Sequence, residues 1–326
     1  MTHQISAFRS AALAEGAKPN FFIVGAPKCG TTSLHEYLQR HPDVFMPFFK
    51  EPHFFGSDLE GSRFRQFRGK PERYLKLFRD ARGEKRIGES SPWYLVSQRA
   101  ADEIQAYDPG AKIIIMLRNP IDMMYSMWSQ FRYSGNEQIE SFEEALAAEP
   151  GRQAGRRIRR AAHCVTGLYY RHMARYFEQA PRYFERFGRE NALVIIFDDF
   201  RADTPAVFRT VLDFLELEPN ISMTFDIHNP NKEVRLEWLQ KLIVNSGFSL
   251  MLLKDQLTYL ATTHSLVPFS YRTRAVEGVI AVYTKYERRS PLTSELRKRL
   301  AAELEGEIDA LSALLDRDLS HWYQLD

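Results

Sequence analysis

Cysteine is scarce in this chain: among 326 residues only Cys29 and Cys164 carry a thiol. Two thiols cannot build a disulfide framework or a Cys/His metal cage, so neither is expected. Long apolar runs are missing as well. The longest late stretch, around Leu250 to Leu253, is far too short to span a bilayer. The opening MTHQISAFRSAALAEGAKPN has no apolar core of signal-peptide length. A soluble, cytoplasmic protein is the expectation. Charge of one sign is absent too, since 44 basic and 42 acidic side chains leave a net +2. That balance excludes a global field drawing in nucleic acid, so any anion must be held by local placement. No Gly-, Ser- or Pro-rich linker divides the chain. Residues 1–19 read as a loosely ordered lead-in and 20–326 as one domain.

What is present is apolar and aromatic: 44% hydrophobic and 13% aromatic residues suffice for a large packed core. The chain is organised around Asn20 to Leu38, NFFIVGAPKCGTTSLHEYL. Four apolar residues, Phe21 to Val24, run into Gly25 and Pro27. Gly30 is followed by Thr31, Thr32 and Ser33, then by the helix-periodic Leu34, Tyr37 and Leu38. The pattern is buried strand, tight loop and helix N-terminus, whose backbone N–H groups and helix dipole face an anion. Gly25 and Gly30 have the spacing of the nucleotide loop G-x-x-x-x-G-K-[ST], but Thr31 takes the lysine position and the lysine is Lys28. No later strand ends in a clear magnesium-binding aspartate. A phosphate-bearing ligand held without a bridging metal is therefore expected. Cys29, within the loop, is either a small filler or a thiol acidified by the helix end; the first is preferred.

KIIIML, from Lys112 to Leu117, is the clearest buried strand, unalternating as in a parallel sheet. Asn119 and Pro120 then open a helix rich in Met and aromatics that runs to about Tyr133. Further strands are expected over Lys85 to Ser91 and Leu193 to Phe197. Helices are expected over 95–107, Ser141 to Ala148, Val207 to Leu217 and from near Ser290 to Leu315. Arg63 to Arg82 reads as one or two surface helices, and Gly167 to Gly188 as a long helical pattern broken or kinked at Pro181. Strands alternating with helices give a parallel sheet through right-handed crossovers. The fold class is α/β: a P-loop-like three-layer sandwich, its central parallel sheet flanked by helices, with a helical C-terminal extension.

Arg118 at a strand end, with Ser126 eight residues on, suits a phosphate monoester through a guanidinium fork and a hydroxyl. KEPHFF at 50–55 offers Glu51 and His53 as bases, with Pro52 biasing Glu51 toward an extended backbone. The run from Arg152 to Arg160 is read as a solvated basic face, with an anion-attracting rim as the alternative.

PKCGTTSL resembles the 5′-phosphosulfate loop of the sulfotransferases that use 3′-phosphoadenosine 5′-phosphosulfate (PAPS), and LRNPIDMMYS resembles their 3′-phosphate-binding segment. KEPHFF is similar to the KE-x-HFF stretch of heparan-type carbohydrate sulfotransferases. The resemblance implies sulfuryl transfer from PAPS to a hydroxyl of a sugar, a lipid or polyketide, or a small molecule. Adenosine 3′,5′-bisphosphate is then the product, and no metal is needed. By the same resemblance Lys28 stabilises the leaving phosphate. Cys29, Gly30, Thr31, Thr32 and Ser33 hold the 5′ end, and Arg118 with Ser126 the 3′-phosphate. Glu51 is the general base, with His53 orienting the acceptor or serving as an alternative base.

Two looser likenesses add residues. GLYYRHMARYF resembles the family's G-x-Y helix and nominates Gly167 and Tyr169 near the nucleotide. HNPNKEVR lies where the family folds a loop over adenine and the 3′-phosphate, nominating Lys232 and Arg235. One departure stands out: the 3-O-type enzymes carry a lysine two residues before the proline of the segment matching ESSPWYL, and here that residue is Ser90. The missing charge argues against a polysulfated glycan, leaving Trp93 and Tyr94 to line an apolar or sugar-stacking pocket. Two other readings stay open on sequence. One is a P-loop kinase, disfavoured by the missing lysine after Gly30; the other is a non-catalytic nucleotide-binding protein of the same fold.

Overall fold

Five strands lie parallel in one sheet of the computed structural model, in the order β2-β3-β1-β4-β5. They are Phe21–Gly25 (β1), Val44–Phe45 (β2), Arg86–Ser90 (β3), Lys112–Leu117 (β4) and Ala192–Ile196 (β5). The structure describes residues 17–159, 162–219, 223–225, 232–234, 284–286 and 289–324, with backbone alone for 232–234 and 284–286. β1 is buried at every residue and β4 at all but its first. This is the unalternating pattern of strands covered on both faces. β2, two residues at the sheet edge, is too short to leave a periodic signal.

Because all five strands run the same way, the loops that follow β1, β3 and β4 emerge at one edge of the sheet. Registers Ile23 with Ser90 and Gly25 with Ile115 align those exits side by side. Helix α1 (Thr31–Leu38) follows the β1 loop and packs on β1 and β3. Between β3 and β4 lies α2 (Ala100–Tyr107). On that side Phe22 of β1 meets the rings of Phe55 and Tyr107 at 5.7 and 6.2 Å. After β4, α3 (Pro120–Ser134) opens on Asn119, whose side chain accepts from the Ile121 N–H at 3.0 Å, as expected of a cap. α4 (Thr204–Phe214) is capped by Asp203 in the same way. The C-terminal helix α5 (Ser294–Leu315) buries Leu296, Leu300, Leu304, Ile308 and Leu311, one helical face, and packs on α3 and on the short helix 176–179. Its Arg297 pairs with Asp122 of α3 at 2.6 Å. A separate antiparallel pair, Lys232–Val234 (β6) with Thr284–Tyr286 (β7), forms a second sheet, and the backbone of β6 lies against α3. No helix among the described residues is long and apolar enough to cross a membrane.

Three expectations need correction. Arg63 to Arg82 does not form long surface helices; it folds as a 3-10 turn at 62–65, a five-residue helix at 71–75 and a 3-10 turn at 76–78, and Phe64, Phe67, Tyr74 and Phe78 along it are wholly buried. Rings that must be enclosed on several sides do not fit one helical stripe. The stretch after Gly167 is three short helices, 170–173, 176–179 and 181–187, with Pro181 opening the last, where its missing N–H costs nothing. Arg152 is not on a solvated face. It is 1% exposed, pairs with buried Glu137 at 2.6 Å and donates to the Leu168 carbonyl at 2.8 Å. The Tyr170 hydroxyl donates to the same Glu137 oxygen at 3.0 Å. Arg156 and Arg157, further along the run, are exposed as expected.

Candidate active site

The loop between β1 and α1 turns on Lys28 (φ 65°) and Gly30 (φ 89°). Gly30 is the α1 N-cap, and a Cβ there would press on the Phe197 ring at 3.1 Å. No side chain caps α1 and no acid occupies its first turn, so the N–H groups of Thr31, Thr32 and Ser33 face the loop without a competing carboxylate. Cys29 is fully buried and donates to the Pro27 carbonyl at 3.4 Å; burial pushes its thiol up to about 12. It is a filler, and the acidified-thiol alternative falls.

Arg118 and the loop are in contact. Its Nη1 lies 3.5 Å from the Lys28 carbonyl, and its guanidinium rests over the Phe197 ring at 5.0 Å. Lys28 Nζ in turn donates to Gln130 Oε1 at 3.4 Å, on the same helix as Ser126. Ser126 is 5% exposed, and Arg289 Nη2 donates to its Oγ at 3.3 Å while stacking over Tyr125 at 5.1 Å. The β1 loop, Arg118 and Ser126 thus share one edge of the sheet and one helix. Lys232 lies on β6, whose backbone flanks that helix, and Arg235 lies outside the described residues. The Tyr169 hydroxyl donates to the Arg152 carbonyl at 3.3 Å. Gly167 has a packing reason to be glycine. A Cβ there would sit 2.5 Å from both Trp93 and Phe131, whose rings stack at 6.1 Å.

The third component follows from KEPHFF. Pro52 was expected to hold Glu51 extended, yet Glu51 has φ 57° and His53 φ 49°. Among the described residues six non-glycine positions have positive φ, and Lys28, Glu51 and His53 are three of them. Such conformations cost about 1–3 kcal/mol each and persist only where the surroundings enforce them. Here the enforcement comes from the end of β3: Glu51 N–H donates to the Ser90 carbonyl at 3.0 Å and His53 N–H to Ser91 Oγ at 3.1 Å. Lys50 Nζ donates to Thr32 Oγ1 at 2.7 Å, tying this segment to the phosphate loop.

Glu51 carries an ion pair, with Arg63 Nη2 at 2.5 Å from Oε2. Burial works to raise its carboxyl, but Arg63, and after it Lys50, outweigh that and hold it at about 2. His53 is fully enclosed, and burial, reinforced by Arg63, drives its imidazole down to about 3. Its Nδ1 faces the Glu51 carbonyl, which can only accept, so Nδ1 carries the proton and Nε2 presents a lone pair. Among the described residues that Nε2 is buried without a hydrogen-bond partner, 3.8 Å from Glu51 Oε2. An imidazole so enclosed faces Glu51 rather than solvent.

Below lies a buried carboxyl, Glu89 of β3. Tyr74 and Tyr94 donate to its Oε2 at 2.6 and 3.2 Å, and Tyr94 also accepts from the Phe55 N–H. Tyr94, with no exposure, and Trp93, at 5%, are therefore walls behind the site and not the open acceptor lining expected of them. Ser90 Oγ is hydrogen-bonded to His35 Nδ1 at 2.9 Å. Sequence reasoning missed Arg63, Gln130 and Arg289, which come from distant segments, and it passed over Lys50 although it stands next to Glu51.

A model of the sulfotransferase domain matches residues 18–244. The crystal structure of a sulfotransferase from Alicyclobacillus acidocaldarius superposes with a TM-score of 0.67 at 30% identity, covering 94% of this chain and 100% of that one. Human carbohydrate sulfotransferase 15 is 31% identical over 39% of this chain and 30% of its own length. Mouse heparan sulfate glucosamine 3-O-sulfotransferase 3A1 is 30% identical over 63% of this chain and 48% of its own. The chain thus spans less than half the length of these two curated relatives.

Proposed function

The chain belongs to the sulfotransferase domain family, and from that premise we propose that it transfers sulfuryl groups, with PAPS as donor and a sugar hydroxyl as acceptor. The family match argues against the kinase alternative. The sugar is supported by the carbohydrate and heparan sulfate relatives.

In the proposed reaction the acceptor oxygen attacks sulfur, and the S–O bond to the 5′-phosphate breaks as the new S–O bond forms. The electron pair stays on the departing phosphate and the hydroxyl proton passes to Glu51. Lys28 and the N–H groups at the start of α1 offset the growing phosphate charge; preorganised donors of this kind contribute roughly 3–4 kcal/mol each. Arg118, Ser126 and Arg289 would hold the 3′-phosphate, a guanidinium pair and a hydroxyl suited to a monoester. Once protonated, Glu51 faces the lone pair of His53 Nε2, which assigns His53 to orienting the base. The observation that supports this most directly is the joining of the three parts. Arg118 meets the Lys28 carbonyl, and Lys50 bridges Thr32 to the residue beside Glu51.

The test is an acceptor screen with sulfur-labelled PAPS beside Glu51→Gln. General acid–base contributions run to about 10²–10⁴-fold, and turnover should fall by that much. Binding of adenosine 3′,5′-bisphosphate, measured by calorimetry, should stay within about twofold. Turnover surviving in Glu51→Gln would reject the base while sparing the family.

A further inference from the structure

A general base held at about 2 is far from the pH at which a side chain shares a hydroxyl proton efficiently. The cause is local. Of the groups facing Glu51 among the described residues, Lys50 and His53 come from its own loop, His35 from α1 and Cys164 from the loop before Gly167, and Arg63 meets the carboxylate in a direct, close ion pair. Lys50 is engaged at Thr32 Oγ1, and His53 and His35 are both driven toward the neutral form by burial.

Arg63 does not depend on Glu51 for its place. Its turn is stitched to the segment 163–166. Arg63 N–H donates to the His163 carbonyl at 3.0 Å, and Val165 N–H donates to the Glu60 carbonyl at 2.9 Å. Gly61 allows the approach, since a Cβ there would lie 2.3 Å from the His163 oxygen. Glu51 is fixed independently, on Ser90 and Ser91. Two separately anchored groups meet in an ion pair that solvent still reaches, the side chains being 13% and 21% exposed. A guanidinium already matched to one carboxylate is matched to another.

We propose that Arg63 is the anchor for a carboxylate on the acceptor, and that its exchange from Glu51 to that carboxylate is what releases the base. The inference rests on Glu51 being the base. An acceptor with a carboxylate beside the reacting hydroxyl takes over Arg63. Burial, the largest influence on Glu51, then raises its proton affinity, and the hydroxyl proton has somewhere to go. A neutral acceptor leaves the pair closed. Selection therefore acts on kcat as well as on KM, because the acceptor's own charge switches on the base.

The experiment compares p-nitrophenyl β-D-glucuronide with p-nitrophenyl β-D-glucoside, PAPS as donor, in the wild type, Arg63→Gln and Arg63→Lys. The wild type is expected to prefer the glucuronide by tenfold or more, with part of the difference in kcat. Arg63→Gln should erase that preference, lowering kcat/KM for the glucuronide while raising kcat for the glucoside. Arg63→Lys, which keeps the charge but not the fork, should fall between. An activity-independent readout is the ¹³C chemical shift of the Glu51 carboxyl, assigned by its loss in Glu51→Gln. It should be silent from pH 8 to 4 in the wild type and titrate in that window in Arg63→Gln. Equal losses on both acceptors, or a Glu51 carboxyl that stays silent in Arg63→Gln, overturn the proposal. A wild type that consumes no donor with any acceptor, or an active Glu51→Gln, instead overturns the assigned reaction or base, and the titration still decides Arg63.

Discussion

Lys28 holds a left-handed backbone that glycine would adopt without strain, and its amino group reaches across to Gln130. A side chain kept at such a position has a use that outweighs the cost of about 1–3 kcal/mol. Lys28→Ala removes the charge and keeps the strain. Turnover at saturating donor should fall by about two to three decades, the loss seen when one preorganised donor is deleted. Single-turnover kinetics check this, and a loss under tenfold would return Lys28 to the status of a loop residue. At this scale the residue types were legible and their states were not. Lys28, Arg118 and Ser126 could be named from their places at two strand–helix junctions taken together, and Glu51 from the resemblance of KEPHFF to the heparan-type enzymes. The left-handed turn at Glu51, against the bias Pro52 imposes, could not, because hydrogen bonds to Ser90 and Ser91 of another strand decide it.

At the scale of elements, an enclosed ion pair ties Glu137 to Arg152. Arg152 and Glu137 are 1% and 3% exposed, with Tyr170 and the Leu168 carbonyl completing the network. Breaking such a pair from one side leaves an uncompensated buried charge, at a cost of about 3–5 kcal/mol. Arg152→Ala should therefore lower unfolding free energy in urea by that amount, whereas Arg156→Ala, exposed on the same run, should change it by less than about 0.5 kcal/mol. A local count of arginines could not tell these two apart. Gly167 makes the same point, since its reason is the stacked Trp93 and Phe131, rings from two other elements.

For the whole molecule, Glu89 sets a pH dependence of stability. Burial raises its carboxyl from 4.5 to about 7, despite the hydrogen bonds from Tyr74 and Tyr94. The folded state then binds this proton more tightly than the unfolded chain. Stability from this group is complete below pH 4.5 and is lost as pH rises through about 7. The full span corresponds to roughly 3 kcal/mol. Glu89→Gln keeps an acceptor for both tyrosines and has no charge to bury. Its melting temperature should match the wild type near pH 5 and exceed it increasingly up to pH 8. Equal curves at both ends would show that Glu89 is not the group responsible.

By itself the sequence determined the sheet, the loop and the order of the parts. Phe21 to Val24 and Lys112 to Leu117 are apolar without alternation, Gly30 and Asn119 start helices, and these are local consequences of backbone sterics and burial. The tertiary structure alone decided what each charged side chain does. Arg63 holds Glu51, Lys50 joins Thr32, Arg289 meets Ser126 and Arg152 disappears into the core. The physical reason is that periodicity reports which face of an element is apolar. The state of a charge depends on the solvent it loses and the partner it gains, and both come from segments far away in the chain.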